Sequence, residues 1–118
     1  MKFTFTFTAT ATAAAMLSAV LMLPPAQAQM RAEDVAAALA VAASNGCTNC
    51  HDASIQLMGP AFKEIARRYK GKKVELELAK RIREGSEGRW GELQHPANAA
   101  LEPAQASLLA RWILAGAP

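Results

Sequence analysis

The pentapeptide Cys47-Thr48-Asn49-Cys50-His51 restricts this chain more than any other stretch of its 118 residues. Two thiols three positions apart, with an imidazole directly after the second, form the attachment signal for a c-type haem. Each thiol adds to a vinyl group at the porphyrin edge and forms a thioether. Two intervening residues put both sulfurs within reach of neighbouring vinyls, and the histidine is held over the iron as an axial ligand. Three rival readings are weaker. A thioredoxin-like redox pair needs a βαβ setting, and the sequence shows none. A structural disulfide suits an oxidising compartment but leaves a small domain with few large core residues unexplained. A closed zinc site takes four ligands. The chain holds two cysteines and two histidines in all, and the separation of His51 from His95 fits no usual zinc pattern. One covalently attached haem c uses both cysteines and leaves no free thiol.

The first 28 residues have the order of a secretory signal peptide. Lys2 supplies a positive start, residues 13–23 an apolar run, Pro24 and Pro25 a break, and Ala26-Gln27-Ala28 a small-residue cleavage site. The apolar run falls short of the about 20 residues of a comfortable membrane span. An uncleaved anchor is the alternative, but it has no use for the proline pair or the Ala-x-Ala triplet. The expectation is a signal peptide at 1–28, cleavage after Ala28, a haem domain at 29–118, a periplasmic location and no membrane span after cleavage.

The domain that remains has four large aromatic residues, Phe62, Tyr69, Trp90 and Trp112. That is little material for a core, and domains of this size often need a staple. A buried porphyrin supplies apolar surface to pack on. Losing Lys2 leaves 12 basic against 10 acidic residues, an excess too small to suggest nucleic-acid binding. Arg67, Arg68, Lys70, Lys72 and Lys73 form a cluster that suits an acidic partner. A solvated helix end explains the same cluster, since cations are favourable there.

The hydrophobic pattern is helical throughout. Glu33 and Asp34 open a first helix, Val35, Leu39 and Ala42 follow at helical spacing, and Gly46 stops it. A second helix is predicted from Pro60, with Phe62, Ile65, Ala66 and Tyr69 on one face and Gly71 at its end. Residues 74–78 alternate as a strand does. Their helix-forming composition, the spacing of Val74, Leu78 and Ile82, and a Glu77–Arg81 pair decide for a helix ending near Gly85. Residues 85–102 read as irregular. A last helix starts at Pro103, carries Leu108, Leu109, Trp112 and Ile113, and closes at Gly116. The fold class is therefore all-α, with four or so short helices and no convincing strand pair.

The second axial position has three candidates after the signal: Met30, Met58 and His95. Met30 sits at the new terminus. Met58 lies seven residues after His51, so the chain would have to round the ring edge at once. His95 stands in an irregular loop beside Pro96, a suitable place from which to hold a ligand on the far face. His51 and His95 are the predicted metal ligands.

Four segments together resemble the class I cytochromes c, in particular the small bacterial c551/c552 group. They are residues 46–51 around the haem motif, Met58-Gly59-Pro60 with the helix that follows, Gly85-Ser86-Glu87-Gly88-Arg89-Trp90-Gly91, and the last helix from Ala104 to Leu114. The resemblance implies the cytochrome c fold, one haem and one-electron transfer with redox partner proteins, not enzymatic turnover. It implies that Pro60 packs beside His51 and fixes its free ring nitrogen, that Trp90 faces a haem propionate, and that the first and last helices cross near Trp112. The cofactor-binding set is then Cys47, Cys50, His51, Pro60, Trp90 and His95. The chain departs from the group at His95, which stands where an axial methionine is expected, and at Ala42, where an aromatic residue is usual. Methionine ligation raises the haem potential, so histidine implies a lower one. Two alternatives stand beside the carrier. One is a ligand sensor or small haem enzyme in which His95 is displaced, with Glu92 the only acidic residue near it in sequence. The other is an electron-transfer subunit of a periplasmic oxidoreductase.

Overall fold

The computed structural model describes residues 1, 2, 4 and 29–118. The expected signal peptide, apart from those three positions, and its cleavage after Ala28 lie outside the described residues. Four α-helices follow: α1 Ala32–Ser44, α2 Phe62–Arg68, α3 Glu75–Glu84 and α4 Pro103–Leu114. A single 3-10 turn, Cys47–Asn49, lies between α1 and α2. Among the described residues no helix is long and apolar enough to cross a membrane.

Local chemistry accounts for most helix ends. Glu33 and Asp34 fall in the first turn of α1, where carboxylates oppose the positive helix end. Gly46, at φ +69, takes the left-handed conformation that turns the chain out of α1 and into the cysteine motif. Pro103 occupies the first turn of α4, and the Glu102 backbone N–H donates to Gln105 Oε1 at 3.1 Å. The boundary of α2 differs from the sequence expectation. The helix begins at Phe62 rather than Pro60, because Ala61 is extended, at φ −59 and ψ 144; the N–H groups of Phe62 and Lys63, which have no acceptor within a helix start, donate to the Asp52 and Ala53 carbonyls at 2.9 and 3.1 Å. Those bonds tie the start of α2 to the chain just after His51.

The helix α4 is the hub: α1, α2 and α3 each pack on it, and α1 and α3 do not pack on each other. Ala38 and Ala42 of α1 and Ala106 and Ala110 of α4 are all fully buried in one core. Small side chains let two helix backbones approach closely, which settles the packing at Ala42 in place of an aromatic side chain. Trp112 is buried with its ring edge-on to Phe62, centroids 4.9 Å apart. Met30 packs against this core rather than fraying at a free end. Among the described residues the one departure from an all-α pattern is an antiparallel bridge between Ser86 and His95.

Candidate haem site

The cysteine motif leaves α1 and lays its side chains along one wall of a cavity of about 330 Å³. Cys47, Cys50, His51, Trp90 and His95 all line it. Neither cysteine is in a disulfide, and burial pushes the Cys47 thiol up from its ordinary value.

His51 is held from several directions. Its Nδ1 donates to the Pro60 carbonyl oxygen at 2.6 Å, which leaves Nε2 with its lone pair free. Its ring stacks on Phe62, with centroids 5.2 Å apart and planes 20° from parallel. Gly59 presses against the imidazole so closely that a side chain has no room there. The Gly59 N–H donates to the Cys50 carbonyl at 2.8 Å, so the chain folds straight back over the motif.

His95 reaches the same cavity from the loop after α3. Its backbone exchanges two hydrogen bonds with Ser86, at 2.7 and 3.1 Å. Gly85, at φ +82, admits this close approach; a Cβ there would stand 2.7 Å from the His95 carbonyl oxygen. The imidazole is partly buried, and burial, followed by the charge of His51, pushes its pKa below the ordinary value. Both causes favour the neutral imidazole, the form that binds metal. Its Nδ1 is buried without a hydrogen-bond partner. The ring centroids of His51 and His95 are 6.1 Å apart.

These features fit a haem. Two thiols and an imidazole line a largely apolar slot, and a second imidazole with an unsatisfied nitrogen lines it with them. Met58 also lines the cavity but is 66 % exposed; Met30 does not line it. The family model described as cytochrome c matches residues 35–117. The chain belongs to the cytochrome c family. Among its relatives, cytochrome c-551 of Pseudomonas aeruginosa is 40% identical over 72 residues, which are 60% of this chain and 68% of that protein. Cytochrome c-552 of Nitrosomonas europaea is 40% identical over 75 residues, 63% of this chain and 73% of that one. The crystal structure of wild-type Nitrosomonas europaea cytochrome c552 superposes with a TM-score of 0.62 at 39% identity, covering 64% of this chain and 95% of the other. Membership brings one covalently bound haem c, for which Cys47 and Cys50 fit the attachment motif, and the work of an electron-transfer protein rather than an enzyme.

Trp90 lies under the Arg68 guanidinium, 4.2 Å from the ring centroid, and edge-on to Tyr69 at 6.5 Å. Sequence reasoning missed several residues of this wall. Tyr69 and Arg81 both line the cavity, and Arg81 Nη1 donates to the Tyr69 hydroxyl at 3.1 Å. Arg81 also pairs with Glu77 one turn away on α3. The i, i+4 spacing of that pair was visible in the sequence, but not that it faces the cavity. Asn45 and Asn98 line the cavity as well, 53 positions apart, and no sequence signal connects them.

Proposed function

We propose that this cytochrome is a periplasmic one-electron carrier whose iron lies between His51 and His95. The observation that carries the reading is the pair of imidazoles 6.1 Å apart across the cavity. With metal–nitrogen bonds of about 2 Å and about 1 Å from each nitrogen to its ring centre, two axial imidazoles on one metal have centroids about 6 Å apart. The Nδ1 of His95, buried without a hydrogen-bond partner, has no protein group competing with a metal for it.

The haem supplies the Fe(III)/Fe(II) couple, and the chain supplies the rest. Cys47 and Cys50 fix the ring edge. Pro60 sets the tautomer and tilt of His51 through the Nδ1 bond. The Ser86 bridge holds His95 in place whether or not an electron has moved. A site that keeps its ligands in both states has little to rearrange during transfer. Imidazole in place of a thioether sulfur stabilises the oxidised form, so the potential lies below that of a methionine-ligated site. Trp90, beside the cavity edge, is read as a propionate contact. The cluster Arg67, Arg68, Lys70, Lys72 and Lys73 is read as the face for an acidic redox partner. It continues to the cavity edge through Arg68, which lies over Trp90. Export and removal of residues 1–28 belong to the same proposal.

The oxidised spectrum tests the ligand assignment. His51–His95 ligation requires no methionine-to-iron charge-transfer band and a high-spin conversion in His95→Ala but not in Met58→Ala. A spin change in Met58→Ala alone would sink it. Rapid carbon monoxide binding by the reduced wild-type protein would support the displaceable-histidine sensor instead.

A further inference from the structure

The helix that leads into the cysteine motif and the loop that carries His95 are on different supports. α1 and α3 each pack on α4 and not on one another. The His95 loop hangs from α3 through backbone bonds: Ser86 with His95, and the Asn98 N–H to the Arg83 carbonyl at 2.9 Å. A side-chain bond at the cavity wall joins the end of α1 to this loop directly. Asn98 Nδ2 donates to Asn45 Oδ1 at 3.2 Å, in a partly buried setting. The Asn45 amide is already oriented for it, since its Nδ2 donates to the Val41 carbonyl at 2.9 Å at the end of α1. That leaves the oxygen to accept from Asn98. Asn45 stands two residues before Cys47, so attachment of haem at Cys47 fixes Asn45 to the ring edge.

We propose that Asn45 is a positioning residue that, through Asn98, holds the His95 loop in register with the haem edge. The inference rests on His95 as an iron ligand. Without the bridge, the place of His95 relative to the ring depends on how α3 sits on α4 and on the Arg68 side chain of α2, which donates to the Arg89 carbonyl earlier in the loop at 2.6 Å; none of these three helices carries a thioether. The bridge gives both faces of the haem a common reference.

The test uses the haem-loaded chain and three variants, Asn45→Gly, Asn98→Ala and the double. Glycine is well tolerated just past a helix end, so Asn45→Gly removes the bridge and leaves α1 intact. Cyanide binding to the oxidised protein, followed optically, reports how often His95 leaves the iron. Each single variant should bind cyanide about three- to tenfold faster, the factor carried by one hydrogen bond of typical net strength. The double should be no faster than the faster single, because both remove one shared contact. Leu108→Ala, a truncation on α4 outside the bridge, should lower the melting temperature and leave the cyanide rate within about twofold. A wild-type rate in Asn45→Gly, additive effects in the double, or equal acceleration by Leu108→Ala would overturn the proposal. A low-spin His95→Ala protein would overturn the ligand assignment and this inference together. High-spin His95→Ala with wild-type cyanide kinetics in the asparagine variants would overturn this inference alone.

Discussion

The Nδ1 of His51 lies 2.6 Å from the carbonyl oxygen of Pro60, and the residue between motif and carbonyl that makes this possible is Gly59. A Cβ on Gly59 would stand 2.8 Å from Nδ1 and 2.9 Å from Nε2 of the same imidazole, and nearer still to Cε1. Gly59→Ala must therefore push the ring away or move the backbone that presents Pro60. Overpacking of this kind costs about 1–3 kcal/mol. The haem should still attach through Cys47 and Cys50, while thermal unfolding shifts down and the oxidised spectrum gains high-spin character. An unchanged melting temperature with an unchanged spectrum would show that the loop gives way freely.

His95→Met puts a thioether where the imidazole stands. Methionine as the second axial ligand raises the potential. The expected rise is on the order of 100 mV, a modest part of the roughly 0.8 V that axial ligands span. Redox titration checks it, with the methionine-to-iron band as proof that the new ligand is bound. A bound methionine with an equal or lower potential would contradict the ligand argument.

The basic cluster is not uniform. Arg67 pairs with Glu64, Arg68 donates to the Arg89 carbonyl at 2.6 Å while covering Trp90, and Lys72 lies 5.9 Å from the Tyr69 ring centroid. Lys70 and Lys73 are exposed and are the sites to reverse. Lys70→Glu/Lys73→Glu should leave the spectrum and melting temperature near wild type. Oxidation of the reduced protein by ferricyanide, an anionic probe, should slow several-fold at low salt, as loss of electrostatic steering requires. The difference should vanish near 1 M salt, where the screening length is about 3 Å. A difference that persists at high salt would point to an altered haem environment instead of steering.

The helices were legible because their signals are local. Pro103 marks the start of α4 and Gly46 and Gly85 the ends of α1 and α3, each through backbone chemistry confined to a few residues. The start of α2 was misplaced by two residues because Ala61 is extended where Phe62 and Lys63 bond back to Asp52 and Ala53, a tertiary contact that no propensity encodes. The motif announces the haem in five residues. The Asn45–Asn98 and Tyr69–Arg81 bonds join distant segments and depend on how helices lie around α4. The Ser86–His95 bridge escaped notice because one pair of backbone bonds across a glycine-containing loop has no strand-like alternation.

The core without haem is thin. Leu101 and Leu109 are the largest side chains that are fully buried, and Leu109 lines the cavity together with Phe62, Ile65, Leu78, Trp112 and Ile113. These six also face whatever fills the slot, so the ring adds apolar contact to α2, α3 and α4. Ligands that bind only the folded state stabilise it, and a covalent one cannot be diluted away. The chain from residue 29 made in a host without haem-attachment machinery should show reduced helical circular dichroism and no sharp thermal transition, whereas the haem-loaded form unfolds cooperatively. In the loaded form Leu109→Ala should cost about 2–5 kcal/mol, as for other buried leucines, and still unfold in one step. A haem-free chain with full helical signal and a sharp transition would show that the four helices carry their own core and that the ring adds function without structure.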